Sequence, residues 1–419
     1  MGGRCGQCGA PGSPSGRPAS CAACQLPESP AVPGAGPVVA AVWMSAAGWG
    51  GAGGDLGAIL RGYRRAGALT QQQLAGMLGY DRTYISMIES GRRHVTDRAA
   101  LAHIASTLAI PPHLLGVVGP DDADFAAMLA FGTSVIRLAQ IARQSGRAAE
   151  AVSELWPLIT RLEARVAAGY AEPETMSLLA EARMSLGVAL GHLLPDERLA
   201  TAARWTGRAL RIAWHLGDRP LLGLVLRMHG NELRKAGHPA AGITRLRQAL
   251  QADEHPARQG AGLVLLARAA AESGQSDLFD DATSQCAREL ETASQQDVLF
   301  NPFTVREVRL RGLLAIGHTA QAVDLAGRYP ADSGPPSPHW RVIERITTAE
   351  VLARAGDERT AETMLTAAIS DAESLRLPHQ VQRIIRLASE PGVLAGQTAG
   401  QQARTTLTRL GRQLAGTHL

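Results

Sequence analysis

From Asp55 to residue 117, apolar positions recur at helical spacing in short runs, each opened by a capping residue and closed by a turn. Leu56, Ile59, Leu60 and Tyr63 fall at i, i+3, i+4 and i+7 behind Asp55, which predicts a capped helix with one apolar stripe. Thr70-Gln-Gln-Gln73 is a capping box, and it opens a second helix that turns Leu74, Ala75 and Leu78 inward. Gly79-Tyr80 breaks that helix. Asp81 then caps a third, residues 82–89, with Ile85 and Ile88 buried. A loop over 90–94 leads to a fourth helix of about Asp97–Leu108, and Pro112 suits the first turn of a short fifth. A short glycine-containing turn between helices two and three is the geometry that lays the later helix in the major groove of double-stranded DNA.

From about Asp121 to residue 419 the pattern changes to long amphipathic helices interrupted by glycine turns. Ile141–Leu155, Glu232–Leu246 and Val351–Leu365 each carry an apolar position, a turn glycine, a small residue and a second large apolar residue. The turn glycines are Gly146, Gly237, Gly274, Gly317 and Gly356; the last four lie 37, 43 and 39 residues apart. The gap from Gly146 to Gly237 holds room for one more unit, expected over Gly187–Leu210 with its turn at His192–Arg198. Small residues early in the second helices (Ala151, Gly242, Ala361) allow close packing, so the pattern predicts stacked helical hairpins, an α-solenoid.

Composition supports an all-helical chain: aromatic residues are 4% of the 419, and Ala, Leu and Arg favour helix over sheet. Residues 55–117 carry seven arginines against four acids, a net of +3. Residues 118–419 carry 33 basic and 33 acidic groups and are neutral. A small basic module beside a large neutral one fits a DNA reader joined to a sensing or assembly domain. Lys235 is the only lysine, and no phosphate-loop or kinase motif surrounds it. No HExxH or GxSxG motif occurs either, so no enzymatic activity is expected.

Leu69–Arg93 resembles the lambda-repressor-like, or XRE-type, helix-turn-helix, and the resemblance spans residues 55–117. It implies a five-helix DNA-binding domain in a transcriptional regulator. By that resemblance Gln71, at the amino end of helix two, bonds a DNA phosphate. Arg82, Thr83, Ser86 and Met87 match positions that face base edges; Arg82 suits guanine, and Met87, where a polar residue is often found, suits a thymine methyl. Tyr84 lies against backbone sugar or along the protein surface. Arg92 and Arg93 sit in the loop that approaches the phosphates, and Arg64 with Glu89 matches a pair tying helix one to helix three. The following array resembles a degenerate tetratricopeptide-type repeat, although that family's repeat is shorter and more regular. Such an array implies a peptide or protein ligand on its concave face, or self-association; a homodimer is expected, since one helix-turn-helix reads only a few base pairs. The competing expectation is an interaction scaffold whose DNA domain is weak or structural.

Cys5, Cys8, Cys21 and Cys24 form two CxxC pairs over residues 1–24. They either supply four thiolates to one structural zinc or belong to a leader with reducible thiols. Residues 25–54, rich in Pro, Gly and Ala, read as a flexible linker, with Met44 as an internal candidate start. No secretory signal is visible, and prolines and glycines interrupt the uncharged stretch that a membrane span would need, so a cytoplasmic location is expected. Cys286 reads as a buried small hydrophobe. Trp156, Trp205, Trp214 and Trp340 read as core, and the histidines after residue 118 as scattered, without ligand spacing.

Overall fold

The computed structural model describes residues 55–108, 110, 115, 122–167, 171–253, 255–292, 298–328, 337–390 and 398–416. Among them every regular element is a helix. The first four are α1 (Leu56–Ala66), α2 (Gln71–Leu78), α3 (Arg82–Glu89) and α4 (Arg98–Thr107). The first three caps are the expected ones, and Asp97, expected only as the start of the fourth helix, is its cap. Asp55 accepts from the Gly57 amide, Thr70 and Gln73 close the reciprocal box, and Asp81 and Asp97 accept amides in the first turns of α3 and α4. Gly79 ends α2 in the left-handed conformation, φ 71°. Leu60, Leu74, Leu78, Ile85, Ile88, Ile104 and Leu108 make one core, which Ile110 and Leu115 join. Leu115 is the described residue of the expected fifth helix; the rest of that helix, the cysteine segment 1–24 and the linker 25–54 lie outside the described residues.

The remaining helices pair as antiparallel neighbours. They are α5 (Asp122–Gln144) with α6 (Ala148–Ala167), α7 (Pro173–Leu193) with α8 (Leu199–Leu216), and α9 (Arg219–Lys235) with α10 (Pro239–Ala252). Then follow α11 (Pro256–Glu272) with α12 (Ser276–Thr292), and α13 (Pro302–Ala315) with α14 (Thr319–Gly327). Last come α15 (Pro338–Arg354) with α16 (Glu358–Ser374), and α17 (Pro378–Ser389) with α18 (Thr398–Gly416). All five turn glycines adopt positive φ, from 69° to 89°. At each, the residue after the glycine donates to the carbonyl five residues back, from Arg147 to Ala142 through Asp357 to Leu352, at 2.8–3.0 Å. One helix-ending motif is therefore used five times. The α7–α8 hairpin replaces it with a 3-10 turn, Asp196–Arg198, in the place the repeat spacing reserved. The α17–α18 pair is a further unit that the glycine spacing did not announce.

Small residues set the approach of paired helices. A Cβ on Gly242 would stand 2.7 Å from the Gly230 carbonyl, and one on Gly187 would stand 2.6 Å from Thr206. The first helices of successive pairs, α9, α11, α13, α15 and α17, also pack on one another and form the inner wall of the superhelix.

That superhelix curls back on itself. The Asp196 amide donates to Gln382 Oε1 at 2.8 Å, and Gln382 Nε2 donates to Glu197 at 2.8 Å. Arg386 pairs with Asp196, joining α17 to the turn after α7. The rings of His192 and His339 meet edge to face at 4.7 Å. The inner helices consequently surround a cavity of about 900 Å³.

Two expectations about side chains need correction. Trp156 and Trp214 are not core: they are 48% and 50% exposed. Trp340 is buried at 2% exposure, and Trp205 is half-buried with Trp156 against its edge at 5.5 Å and Arg208 over its face at 4.5 Å. Cys286 is buried as expected, and burial pushes its thiol up to about 12, which leaves it protonated and inert.

Candidate nucleic-acid interface

The four helices of the first domain turn one side of α3 inward and leave the other uncovered. Ile85, Ile88 and Glu89 are buried; Arg82 and Thr83 are exposed, and Ser86 and Met87 are half-exposed on the outer side. A helix of eight residues with this division presents its amino-terminal turn outward, the end from which a helix in a major groove touches bases. Arg82 makes no ion pair or hydrogen bond among the described residues, so its guanidinium is uncommitted.

Beneath this surface, α1, α2 and α3 are locked by one buried carboxylate. Glu89 accepts Nε of Arg64 at 2.8 Å and Nη2 at 3.1 Å, and it also accepts Gln71 Nε2 at 2.8 Å. Burial opposes ionisation of Glu89, but the hydrogen bonds from Arg64 and Gln71 outweigh it and hold the carboxyl below its usual range. The Arg64 side chain, held by the same bond, is raised above the ordinary arginine value. Gln71 therefore has a structural partner, which the sequence pattern did not reveal. Its position at the start of α2 follows from the capping box.

The aromatic and basic residues beside α3 are ordered by one another. Tyr84 packs against Tyr80 with ring centres 5.0 Å apart, and the Arg93 guanidinium covers its face at 5.2 Å. Tyr84 thus packs along the protein surface. Arg92 and Arg93 both donate their amides to the Met87 carbonyl, at 2.9 and 3.2 Å, which fixes the loop to the end of α3. The Arg92 side chain remains exposed. Arg82, Thr83 and Arg92 are exposed and Ser86 half-exposed, with the Arg93 guanidinium over the Tyr84 ring.

Residues 55–116 match the family model of the helix-turn-helix domain. This segment is a helix-turn-helix domain. The match ends where the described core of the domain ends, at Leu115. No curated protein matches the chain. Among solved structures, a crystal structure of Bacillus thuringiensis PlcR in complex with the peptide PapR7 and DNA is similar at 15% identity. It covers 77% of this chain and 96% of that one, with a TM-score of 0.29. At this score the superposition is too loose to carry correspondences between residues or units.

Sequence spacing missed a second cluster. His192, His339 and His379, far apart in the chain, converge on the central cavity, together with Lys235 and several arginines. The histidines and Lys235 come one each from α7, α15, α17 and α9, and the arginines from α5, α9, α11, α13 and α17, so no local motif announces them. Among the described residues no group of three or more His, Cys, Asp or Glu is placed to hold a metal. No described helix is long and apolar enough to cross a membrane.

Proposed function

We propose that the chain is a sequence-specific DNA-binding transcriptional regulator of the XRE type, acting in the cytoplasm and controlled through its helical array. The observation that carries this reading is the helix-turn-helix domain with the outer side of α3 uncovered and Arg82 uncommitted at its amino end. In this reading Arg82, Thr83, Ser86 and Met87 meet base edges, while Gln71, Arg92 and the Tyr84–Arg93 pair meet the backbone. Gln71 would contact phosphate with the amide group that also binds Glu89, coupling DNA contact to the internal lock.

The array, of tetratricopeptide-like hairpins, supplies self-association and control. Two copies of the domain on half-sites about 34–36 Å apart give the specificity one copy lacks. An apolar stripe supports a dimer: Phe131, Leu138 and Ile141 on α5 are 71%, 63% and 48% exposed and share one helix face. A ligand inside the array would act by favouring one arrangement of the dimer over another.

The test is selection of bound fragments from a random duplex library by the full chain, followed by titration of the enriched sequence and a scrambled one. An affinity ratio of about 10³ or more is expected for a specific reader. A ratio near one would leave an interaction scaffold as the better description.

A further inference from the structure

We propose that the central cavity of the array is the binding site for a small, multiply charged anion bearing phosphate or several carboxylates, held chiefly by Arg143, Lys235 and Arg268. This deepens the regulator reading by naming the chemistry of its effector, and depends on that reading only for the consequence at the DNA.

The argument starts from charge. Residues 118–419 are neutral overall, yet eight arginine and lysine side chains border this cavity against four carboxylates. The only lysine of the chain is among them. Six of those cations have partners, among them Arg227, whose Nη1 donates to the Arg258 carbonyl at 3.0 Å. Arg234 pairs with Glu272 at 2.5 Å, Arg311 reaches the same carboxylate at 3.9 Å, Arg383 pairs with Glu350 at 3.2 Å, and Arg386 pairs with Asp196. Lys235 shares Glu232 at 2.9 Å, a carboxylate behind the cavity wall. Arg143 and Arg268 make no hydrogen bond or ion pair among the described residues. Arg268 Nε is buried with no hydrogen-bond partner at all, and its guanidinium stands 5.9 Å from the Trp340 ring centre.

Such an arrangement is costly without an anion. Burial, then the neighbouring Arg234 and Arg311, push the Arg268 guanidinium well below the ordinary arginine value. Burial, then Arg383, lowers Arg311 to about 10, and burial lowers Lys235 as well. The three histidines at the same cavity are held neutral for related reasons, so they are free to donate or accept hydrogen bonds rather than add charge. Further polar atoms of wall residues buried without a partner include the donors Trp340 Nε1, His379 Nδ1 and Arg383 Nη1 and the acceptor Gln380 Oε1. Buried donors of this kind ordinarily have partners, and these converge on one space.

Size favours a small molecule over a long peptide. A volume of about 900 Å³ is within the range of cofactor and metabolite sites, about 300–1,000 Å³. The contacts Asp196–Arg386 and His192–His339 close the ring around this cavity.

The experiment measures thermal unfolding of the full chain against inorganic pyrophosphate and against citrate, with sodium chloride at matched ionic strength. A saturable rise in Tm with pyrophosphate or citrate, absent with chloride, is expected. The pyrophosphate and citrate arms separate phosphate from carboxylate chemistry. Arg268→Gln and Lys235→Met should each weaken the response tenfold or more, whereas Arg147→Gln, on the exposed surface, should not. Arg268→Gln should also raise Tm without ligand, because it removes a buried cation whose burial and neighbouring Arg234 and Arg311 outweigh the attraction of Glu272 and Glu307; a merely structural arginine would lower it. No saturable response to either probe, an undiminished response in both cavity variants, or a response only to peptides would overturn the proposal. Anion binding without any change in DNA titration would keep the site and remove its regulatory role. Failure of the library selection alone would remove the DNA reading and leave the anion site intact.

Discussion

The Arg64 guanidinium grips the Glu89 carboxylate through two parallel bonds, 2.8 and 3.1 Å, joining the first helix of the DNA-binding domain to the end of the third. Glu89 is 4% exposed, so its charge relies on Arg64 and Gln71 for neutralisation and hydrogen bonds. Arg64→Ala would leave a buried carboxylate without its main partner and should cost the domain about 3 kcal/mol. Arg64→Lys should recover little, since an ammonium cannot make the paired contact. Chemical denaturation of residues 55–117 measures both; a loss under about 0.5 kcal/mol, typical of an exposed pair, would show that the lock is not needed.

The two exposed arginines at the interface should behave differently. Arg82→Ala removes a base reader, so binding should weaken by about 1–3 kcal/mol and preference should blur at one base pair. Arg92→Ala removes a phosphate contact, so every sequence should weaken alike and the salt dependence should become shallower. Titration of both variants against the enriched duplex and random DNA, at several salt concentrations, separates them. Equal losses on both DNAs for Arg82→Ala would reassign it to the backbone.

What the sequence disclosed was whatever rests on local rules. Asp55, Thr70 and Asp81 were legible as caps because a cap acts within three residues, and Gly146 through Gly356 because a left-handed turn favours glycine. Contacts across the chain were not legible. The Gln71–Glu89 bond spans 18 residues and the Gln382–Glu197 bond 185, and neither leaves a periodic mark. Gly57 is a smaller instance. A Cβ there would stand 2.4 Å from the Ile88 carbonyl, so this glycine sets the distance between α1 and α3, yet it reads as an ordinary interruption of a helix. The closing of the array into a ring followed from no repeat, and it is what gathers the cavity cations.

Self-association should depend on α5. Phe131→Glu together with Leu138→Glu places two charges on the exposed stripe without touching the buried face, which is made by residues such as Ile136 and Ala139. Sedimentation should show the full chain passing from dimer to monomer, with helicity unchanged and operator affinity reduced at least tenfold. A wild-type chain that sediments as a monomer at micromolar concentration removes the dimer from the mechanism.

One zinc per chain is expected if Cys5, Cys8, Cys21 and Cys24 form a four-thiolate site. The metal should survive dialysis against a weak chelator and be lost in the double variant Cys5→Ser with Cys24→Ser. Elemental analysis decides the point, and zinc-free wild-type protein would leave the cysteines as reducible thiols. DNA binding by residues 55–117 should be equal in both proteins, since among the described residues that core is built from Ile59 to Leu115.

The buried histidines give the array a defined acid sensitivity. His229 is 1% exposed and His339 is 9% exposed; burial, reinforced by Arg245 at the first and by Arg143, Lys235 and Arg268 at the second, lowers both to about 3. His192 meets the His339 ring, and Ser337 Oγ lies 2.9 Å from His339 Nδ1, which completes the polar surroundings of that side chain. In the unfolded chain each histidine titrates near 6.5. Below that pH the unfolded state binds protons that the folded state refuses, so the full stability is present above pH 6.5 and is lost as pH falls toward 3. The slope approaches about 1.4 kcal/mol per pH unit for each such histidine. Glu272, held down to about 2 by its arginine neighbours against the opposing effect of burial, adds acid sensitivity of the same sign only below the usual carboxylate range. Across the window from pH 6.5 to 4.5 the histidines are opposed by Glu181, Glu307 and Glu344, which burial raises above the usual carboxylate value. These carboxyls take up protons in the folded state, so the histidine contribution is read from the difference between wild type and variant. Denaturation followed by tryptophan fluorescence should show stability falling across that window, and His339→Gln should make the fall shallower by about one proton. An unchanged slope in the variant would mean that these imidazoles accept protons without unfolding the array.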